Sequence, residues 1–244
     1  MYLQYVQQAA NMLVETAQKQ TKQADLAAEW IFDFVQKGGV IHGFGCGHSH
    51  MLAEELFYRA GGLACICPIL LDELMLHKGA VHSSMLERQN SYTDSFVDEL
   101  DIRSGDMLIV ISTSGINPVP VDMLLQGQKA GAKTIAITSA AYSENALSRH
   151  KKQIKLGDAA DLVIDNGAPY GDAILTHEKA PAPFSPVSTV IGVALLNGII
   201  AASIEKMIKC GFNPPIFLSG NRPDADEYNQ SLIHQYQQRI PLLR

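Results

Sequence analysis

Residues 106–139 read DMLIVISTSGINPVPVDMLLQGQKAGAKTIAITS. Two apolar runs, DMLIVIS and AKTIAITS, flank a stretch that opens on hydroxyl residues, passes two prolines and closes at Gly131. An apolar run without polar alternation predicts a strand covered on both faces. Proline fits the first turn of a helix and glycine the residue just past its end, so a helix is expected from about Pro118 to Ala130. The order is therefore strand, hydroxyl-rich turn, helix, strand, which is the repeating unit of a parallel sheet.

Outward from this unit the same rhythm recurs. GVIHGF predicts a strand, the glycine-rich turn GFGCGHSH (residues 43–50) follows it, and SHMLAEELFYRAGG reads as a helix stopped by its terminal glycines. LACICPILL and ADLVID complete five apolar strands alternating with helices. Between LACICPILL and DMLIVIS lies a polar segment with helical pieces from about Leu74 to Leu100, and a short helix is expected near Ser143. The expected class is α/β, a parallel sheet between two helical layers, with ligands at the turns after the strand C-termini. Residues 2 to about 36 lack proline and glycine and place apolar residues at helical spacing, so one long helix is expected, broken near Thr21 if at all. GDAILTHEKAPAPFSPVS reads as a long loop, the apolar stretch after it as a helix docked on the sheet, and CGFNPPIFLSGNRPDADEYNQ as irregular. The expected organisation is an N-terminal helical extension (1–36), a ligand-binding domain (37–210) and a C-terminal tail folded onto it (211–244).

Composition narrows the function. The 244 residues are 47% hydrophobic and 18% charged, as in an ordinary globular protein. A net charge of -6 offers no basic surplus for a polyanion, so no nucleic-acid partner is expected. The stretch from Val187 to Ile204 is apolar but includes Ser188, Asn197 and Ser203, which predicts a buried helix and no membrane partner. MYLQYVQQAA has no basic stretch ahead of a short apolar core, so a cytoplasmic address is expected. The four cysteines, Cys46, Cys65, Cys67 and Cys210, form no paired framework, and none is read as a metal ligand.

The turn at 43–50 lets backbone pass close to a ligand at a helix N-terminus, where negative charge is favoured. It is neither G-x-G-x-x-G nor a nucleotide-triphosphate loop, because Gly43 and Gly45 are followed by His48 and no lysine is present. What remains is a cradle of hydroxyls and amides: Gly45, Gly47, Ser49 and the imidazoles of His48 and His50. The second turn adds Ser112, Thr113, Ser114, Gly115 and Asn117, although Asn117 fits a simple N-cap as well. Two such turns on adjacent strands can share one phosphate.

VIHGFGCGHSHMLAEEL and the 106–139 stretch, with its S-T-S-G-I-N turn and GAKTIAIT ending, resemble the sugar isomerase (SIS) domain family. The resemblance covers about residues 30–210. It implies a three-layer αβα sandwich with a five-stranded parallel sheet in the order 2-1-3-4-5, assembled as a homodimer or homotetramer. It also implies a sugar phosphate ligand, with phosphate on Ser49, Ser112, Thr113, Ser114 and Asn117. The first turn and helix are similar to those of phosphoheptose isomerase, whose active-site glutamate corresponds to Glu55. The metal-binding histidine of that enzyme is Met51 here, so neither its metal nor its substrate carries over.

Aldose–ketose isomerisation needs a base that moves a proton between neighbouring carbons and a donor at the carbonyl or ring oxygen, and it needs no redox cofactor. Glu55 is the expected base, with Glu54 its competitor, since adjacent helical positions cannot face one site. Glu87 is a candidate substrate contact, or else a surface glutamate paired with Arg88, and His82 and Ser83 are candidate helix caps. His177, in the loop after the fifth strand, is the candidate donor. The alternatives are an etherase or lyase acting on an amino-sugar phosphate, and a non-catalytic phosphosugar-sensing module.

Overall fold

The computed structural model describes all residues from Met1 to Arg244. Its centre is a five-stranded parallel sheet in the order β2-β1-β3-β4-β5, formed by β1 (Ile41–Gly45), β2 (Ile66–Ile69), β3 (Met107–Ile111), β4 (Lys133–Thr138) and β5 (Leu162–Asp165). The register is continuous, with Ile41 opposite both Ile66 and Met107, and Met107 opposite Lys133.

Why the strands are apolar throughout is visible in β3. Met107, Ile109 and Ile111 enter one core with Ala28 and Ile31 of α2 (Thr21–Gln36) and Leu52 of α3 (His50–Leu56); Leu195 and Ile199 of α8 (Ser188–Lys209) line the same core. Leu108 and Val110 enter a second core with Val119 and Met123 of α5 (Pro118–Lys129) and Leu156 of α7 (Leu156–Ala159). Successive residues point to opposite faces, so a strand between two helical layers must be apolar at every position. α8 is long and apolar enough to cross a membrane, but Ile191, Leu195, Leu196, Ile199 and Ile200 are buried in the first core.

The structure departs from the sequence reading in several places. The N-terminal helix is two helices, α1 (Tyr2–Lys19) and α2, divided at Gln20, beside the Thr21 position at which a break was expected if there was one. α3 ends at Leu56, ahead of Gly61 and Gly62, because Phe57 turns extended. His82 and Ser83 lie inside α4 (Ala80–Glu87) and cap nothing: Ser83 donates to the Leu74 carbonyl and His82 sits 3.0 Å from Glu73. α6 (Ala140–Asn145) is the short helix near Ser143. The loop after β5 contains an antiparallel hairpin, β6 (Ala173–Leu175) with β7 (Phe184–Pro186). The tail expected to be irregular forms α9 (Ala225–Tyr236). Its buried residues, Ala225, Leu232 and Tyr236, share one face at i, i+7 and i+11, but the stripe is thin and its first half runs through the polar stretch DADEYNQ. The Asn229 amide ties the helix down by accepting from Leu218 N and donating to Leu218 O, both at 2.9 Å.

Candidate functional site

The connection after β1 runs to β2 on one side and the chain then returns to β3 on the other, so the β1/β3 edge is the topological switch point, where an open α/β sheet leaves a crevice. Both hydroxyl-rich turns end at this edge. In the first, Gly47 has φ +56°, and a Cβ on Gly45 would stand 2.6 Å from the Ser49 carbonyl carbon. Gly45→Ala is therefore expected to push the 46–49 turn away from β1 and destabilise the fold by about 1–3 kcal/mol, measured by calorimetric unfolding. In the second, Gly115 has φ +62° and abuts the Thr138 hydroxyl, while Asn117 occupies the N-cap of α5 with Pro118 in the first turn.

The candidate residues divide by what they already hold. Ser112 Oγ accepts from Gly115 N at 3.2 Å, and Thr113 Oγ1 accepts from the Asn166 amide at 3.2 Å. His50 is used inside the first turn: its Nδ1 pairs with the Gly47 carbonyl and its Nε2 lies 3.4 Å from Glu54. Ser49 and Ser114, both half-buried, take no part in these bonds, and His48 is exposed. The two hydroxyls and the exposed imidazole are the groups of the turns that remain available to a ligand.

Asn117 is where the structure adds most. Its side chain makes no capping bond; its Nδ2 donates to Glu87 Oε1 at 2.9 Å and its Oδ1 accepts from Arg149 Nη1 at 2.8 Å. Glu87 does not pair with Arg88 as a surface residue would. Burial pushes its carboxyl above the ordinary range, opposed by the Asn117 hydrogen bond and the positive charges of Arg88 and Arg149. The same carboxylate, after burial, raises the Cys46 thiol of the first turn, so Glu87 lies in the field of one turn and in contact with the other.

Glu55 is placed differently. It faces the α8 layer, where the Asn197 amide donates to its Oε1 at 3.3 Å, and it is ion-paired with Arg59. Glu54 is half exposed beside His50. His177 is exposed between β6 and β7, and its Nδ1 accepts from Lys179 N at 3.1 Å. No hydrogen bond or ion pair joins Glu55 or His177 to Glu87 or to the second turn. A cavity of about 430 Å³ between α1 and β6, lined by Gln8, Asn11, Met12, Pro169, Ala173 and Ile174, contains no acid, base or hydroxyl and does not compete with the switch point for chemistry.

The SIS domain family profile matches residues 4–139, through both turns and to the end of β4. The chain belongs to the SIS domain family. A UPF0309 protein of Halalkalibacterium halodurans is 51% identical over 243 residues, spanning 100% of this chain and 97% of its relative. Two solved structures share the fold: phosphoheptose isomerase from Neisseria gonorrhoeae (TM-score 0.54, 14% identity, 84% of this chain and 97% of that one) and the sugar isomerase domain of an RpiR transcription factor from Sphaerobacter thermophilus (TM-score 0.51, 15% identity, 98% of each). The SIS profile begins within α1 rather than at about residue 30, so the N-terminal helices lie inside the matched region.

Arg149 escaped the sequence reading. Its signal was present in Arg149-His150-Lys151-Lys152, a basic cluster in an acidic chain. The cluster lies beyond β4 and α6, and nothing local tells that it folds back over α4.

Proposed function

We propose that this SIS protein binds a sugar phosphate, with the phosphate between the two turns, and isomerises it between aldose and ketose using Glu87 as base. The observation that carries this reading is the half-buried Glu87 carboxylate, held by Asn117 of the second turn and acting electrostatically on the Cys46 thiol of the first. A carboxyl raised by burial accepts a proton more readily than an exposed one, which suits a base working near neutral pH. Glu87 takes the proton from the carbon beside the carbonyl, leaving an enediolate. It returns the proton to the former carbonyl carbon while a hydroxyl proton shifts to the other oxygen, so the sugar keeps its atoms and its oxidation state. His48, exposed in the first turn, is the donor available to the sugar oxygens. Glu55 is the alternative base, and its pairing with Arg59 counts against it.

Self-association of a cytoplasmic homo-oligomer is part of the proposal. Met1, Tyr2, Leu3, Val6 and Val14 expose apolar surface along α1, with Tyr2 80% and Leu3 66% accessible, and a second copy would cover it.

The test is proton NMR in heavy water with aldose, ketose and N-acetyl amino-sugar phosphates. Deuterium entering beside the carbonyl with formation of the paired ketose is expected. Loss of a side group instead identifies an etherase or lyase, and saturable thermal stabilisation without exchange identifies a sensing module. Ser49→Ala and Ser114→Ala are each expected to weaken sugar phosphate binding by roughly tenfold to a hundredfold, the value of a hydrogen bond to a charged group. Isothermal titration should show no such loss for the unphosphorylated sugar.

A further inference from the structure

The segment from Glu87 to Ser91 is fastened to the loop 146–153 from one end to the other. Arg149 Nη1 reaches Glu87 through Asn117. The Asn90 side chain donates to the Arg149 carbonyl at 3.4 Å and accepts from Lys151 N at 2.7 Å, and Lys151 Nζ donates to Ser91 Oγ at 2.6 Å. Behind these, buried His150 stands with Nε2 3.0 Å from Asp122 Oδ1, while Asp122 Oδ2 accepts from Ser91 N at 3.3 Å. Lys152 N donates to His150 Nδ1 at 3.3 Å, which leaves the imidazole hydrogen on Nε2, directed at Asp122.

None of these groups lies in a strand of the sheet. Their shared effect is to fix where the end of α4 lies relative to the second turn. We propose that Arg149 is a positioning residue for proton transfer: through Asn117 it sets the orientation and the charge state of Glu87, with the His150–Asp122 pair and Lys151 holding the loop that carries it. The inference rests on the reading of Glu87 as base. An amide that both donates to a carboxylate and accepts from a guanidinium has its orientation imposed: were it flipped, its NH2 would face a cation and its oxygen an anion. Arg149 thus selects the amide orientation that presents a donor to Glu87. The charged and titratable groups facing Glu87 are Arg88 on its own helix, Arg149 from the loop and the Cys46 thiol from the first turn. Removing Arg149 takes away one of the two cations that favour the carboxylate, so the group should protonate at higher pH.

The experiment uses the full chain with Arg149→Met and Arg149→Lys. Two readouts are taken: the pH profile of deuterium exchange, and the titration of the Glu87 side-chain carbon by ¹³C NMR, assigned by its loss in Glu87→Gln. In Arg149→Met we expect kcat lower by on the order of a hundredfold with KM little changed. The acid limb of the profile and the ¹³C titration should both move to higher pH, and thermal stability should remain near wild type. Arg149→Lys should recover the limb and part of kcat, because it restores the charge without the planar fork. An unmoved titration in Arg149→Met overturns the proposal, whether or not a turnover substrate is found. So does a rise in KM alone, which would make Arg149 a direct anion contact. Absence of exchange in the wild type with every sugar phosphate would instead overturn the base role of Glu87, and the titration would still judge the positioning of its carboxylate.

Discussion

Glu87→Gln is expected to lower the rate of deuterium exchange into a sugar phosphate by about a hundredfold to ten-thousandfold, the range for removal of a general base. The fold should not suffer, because the carbonyl oxygen of the substituted amide can still accept from Asn117 Nδ2 where Glu87 Oε1 does now. Stability should move the other way. Burial raises the Glu87 carboxyl, so the folded chain holds that proton more tightly than the unfolded chain, whose glutamates titrate near about pH 4.3. The stability from this group is fully present below the unfolded value and is lost as pH rises through the higher folded value, leaving a buried charge that opposes folding. Glutamine removes that charge. A variant that loses exchange while its Tm at neutral pH stays level or rises is the expected result; a large fall in Tm would assign the lost activity to unfolding. Glu55→Gln is the paired control, expected to change exchange far less, because the Glu55 carboxylate is already neutralised by Arg59. Reversal of the two outcomes would move the base to Glu55.

Asp106→Ala is expected to cost about 3–5 kcal/mol, the usual penalty for removing one partner of a buried ion pair. For a chain of this size that lowers Tm by roughly 6–20 °C. Asp106 is 1% exposed at the start of β3. It accepts from Val40 N and Arg103 N at 2.9 Å and from Arg239 Nη2 at 2.6 Å, with His42 Nε2 at 3.4 Å. Arg239 also donates to Asp101, so one carboxylate ties the segment after α9 to the base of β1 and β3. Burial alone would push the Asp106 carboxyl up; the bonds from His42, Arg239, Val40 and Arg103 outweigh it and hold the group well below the usual carboxylate range. Here the folded value is depressed, so the contribution is complete above the unfolded value of about 3.9 and is lost as pH falls toward the folded one. The gap in Tm between wild type and Asp106→Ala, followed by circular dichroism, should be constant near neutrality and shrink below about pH 4. A gap that persists unchanged in acid would mean that packing, rather than the charge, carries the effect.

The five strands and the two turns were legible because each is signalled within a few residues. Leu108 to Ile111 is apolar at every step, and Ser112 to Asn117 can only be a polar turn between a strand and a proline-started helix. The place of the break in the N-terminal helix, near Thr21, was legible, but that the helix does break there was decided by the packing of α2 on α8. α9 was hidden because its one-sided apolar face is only three residues deep, with Leu232 and Tyr236 reaching the core that holds Phe217 and the α2 layer.

The sequence by itself determined the sheet, its parallel character and the edge at which the two hydroxyl-rich turns meet. Those follow from local alternation and turn chemistry, which short stretches encode completely. It made Glu55 the expected base with Glu54 its competitor, and Glu87 a candidate substrate contact. Only the tertiary structure showed how their surroundings differ, by bringing Arg149 back to the end of α4, far earlier in the chain, and by holding Glu87, half-buried, against Asn117 while Glu55 met Arg59 at the α8 layer. Burial and charge environment are properties of where distant segments meet, and these set the reactivity of a carboxylate.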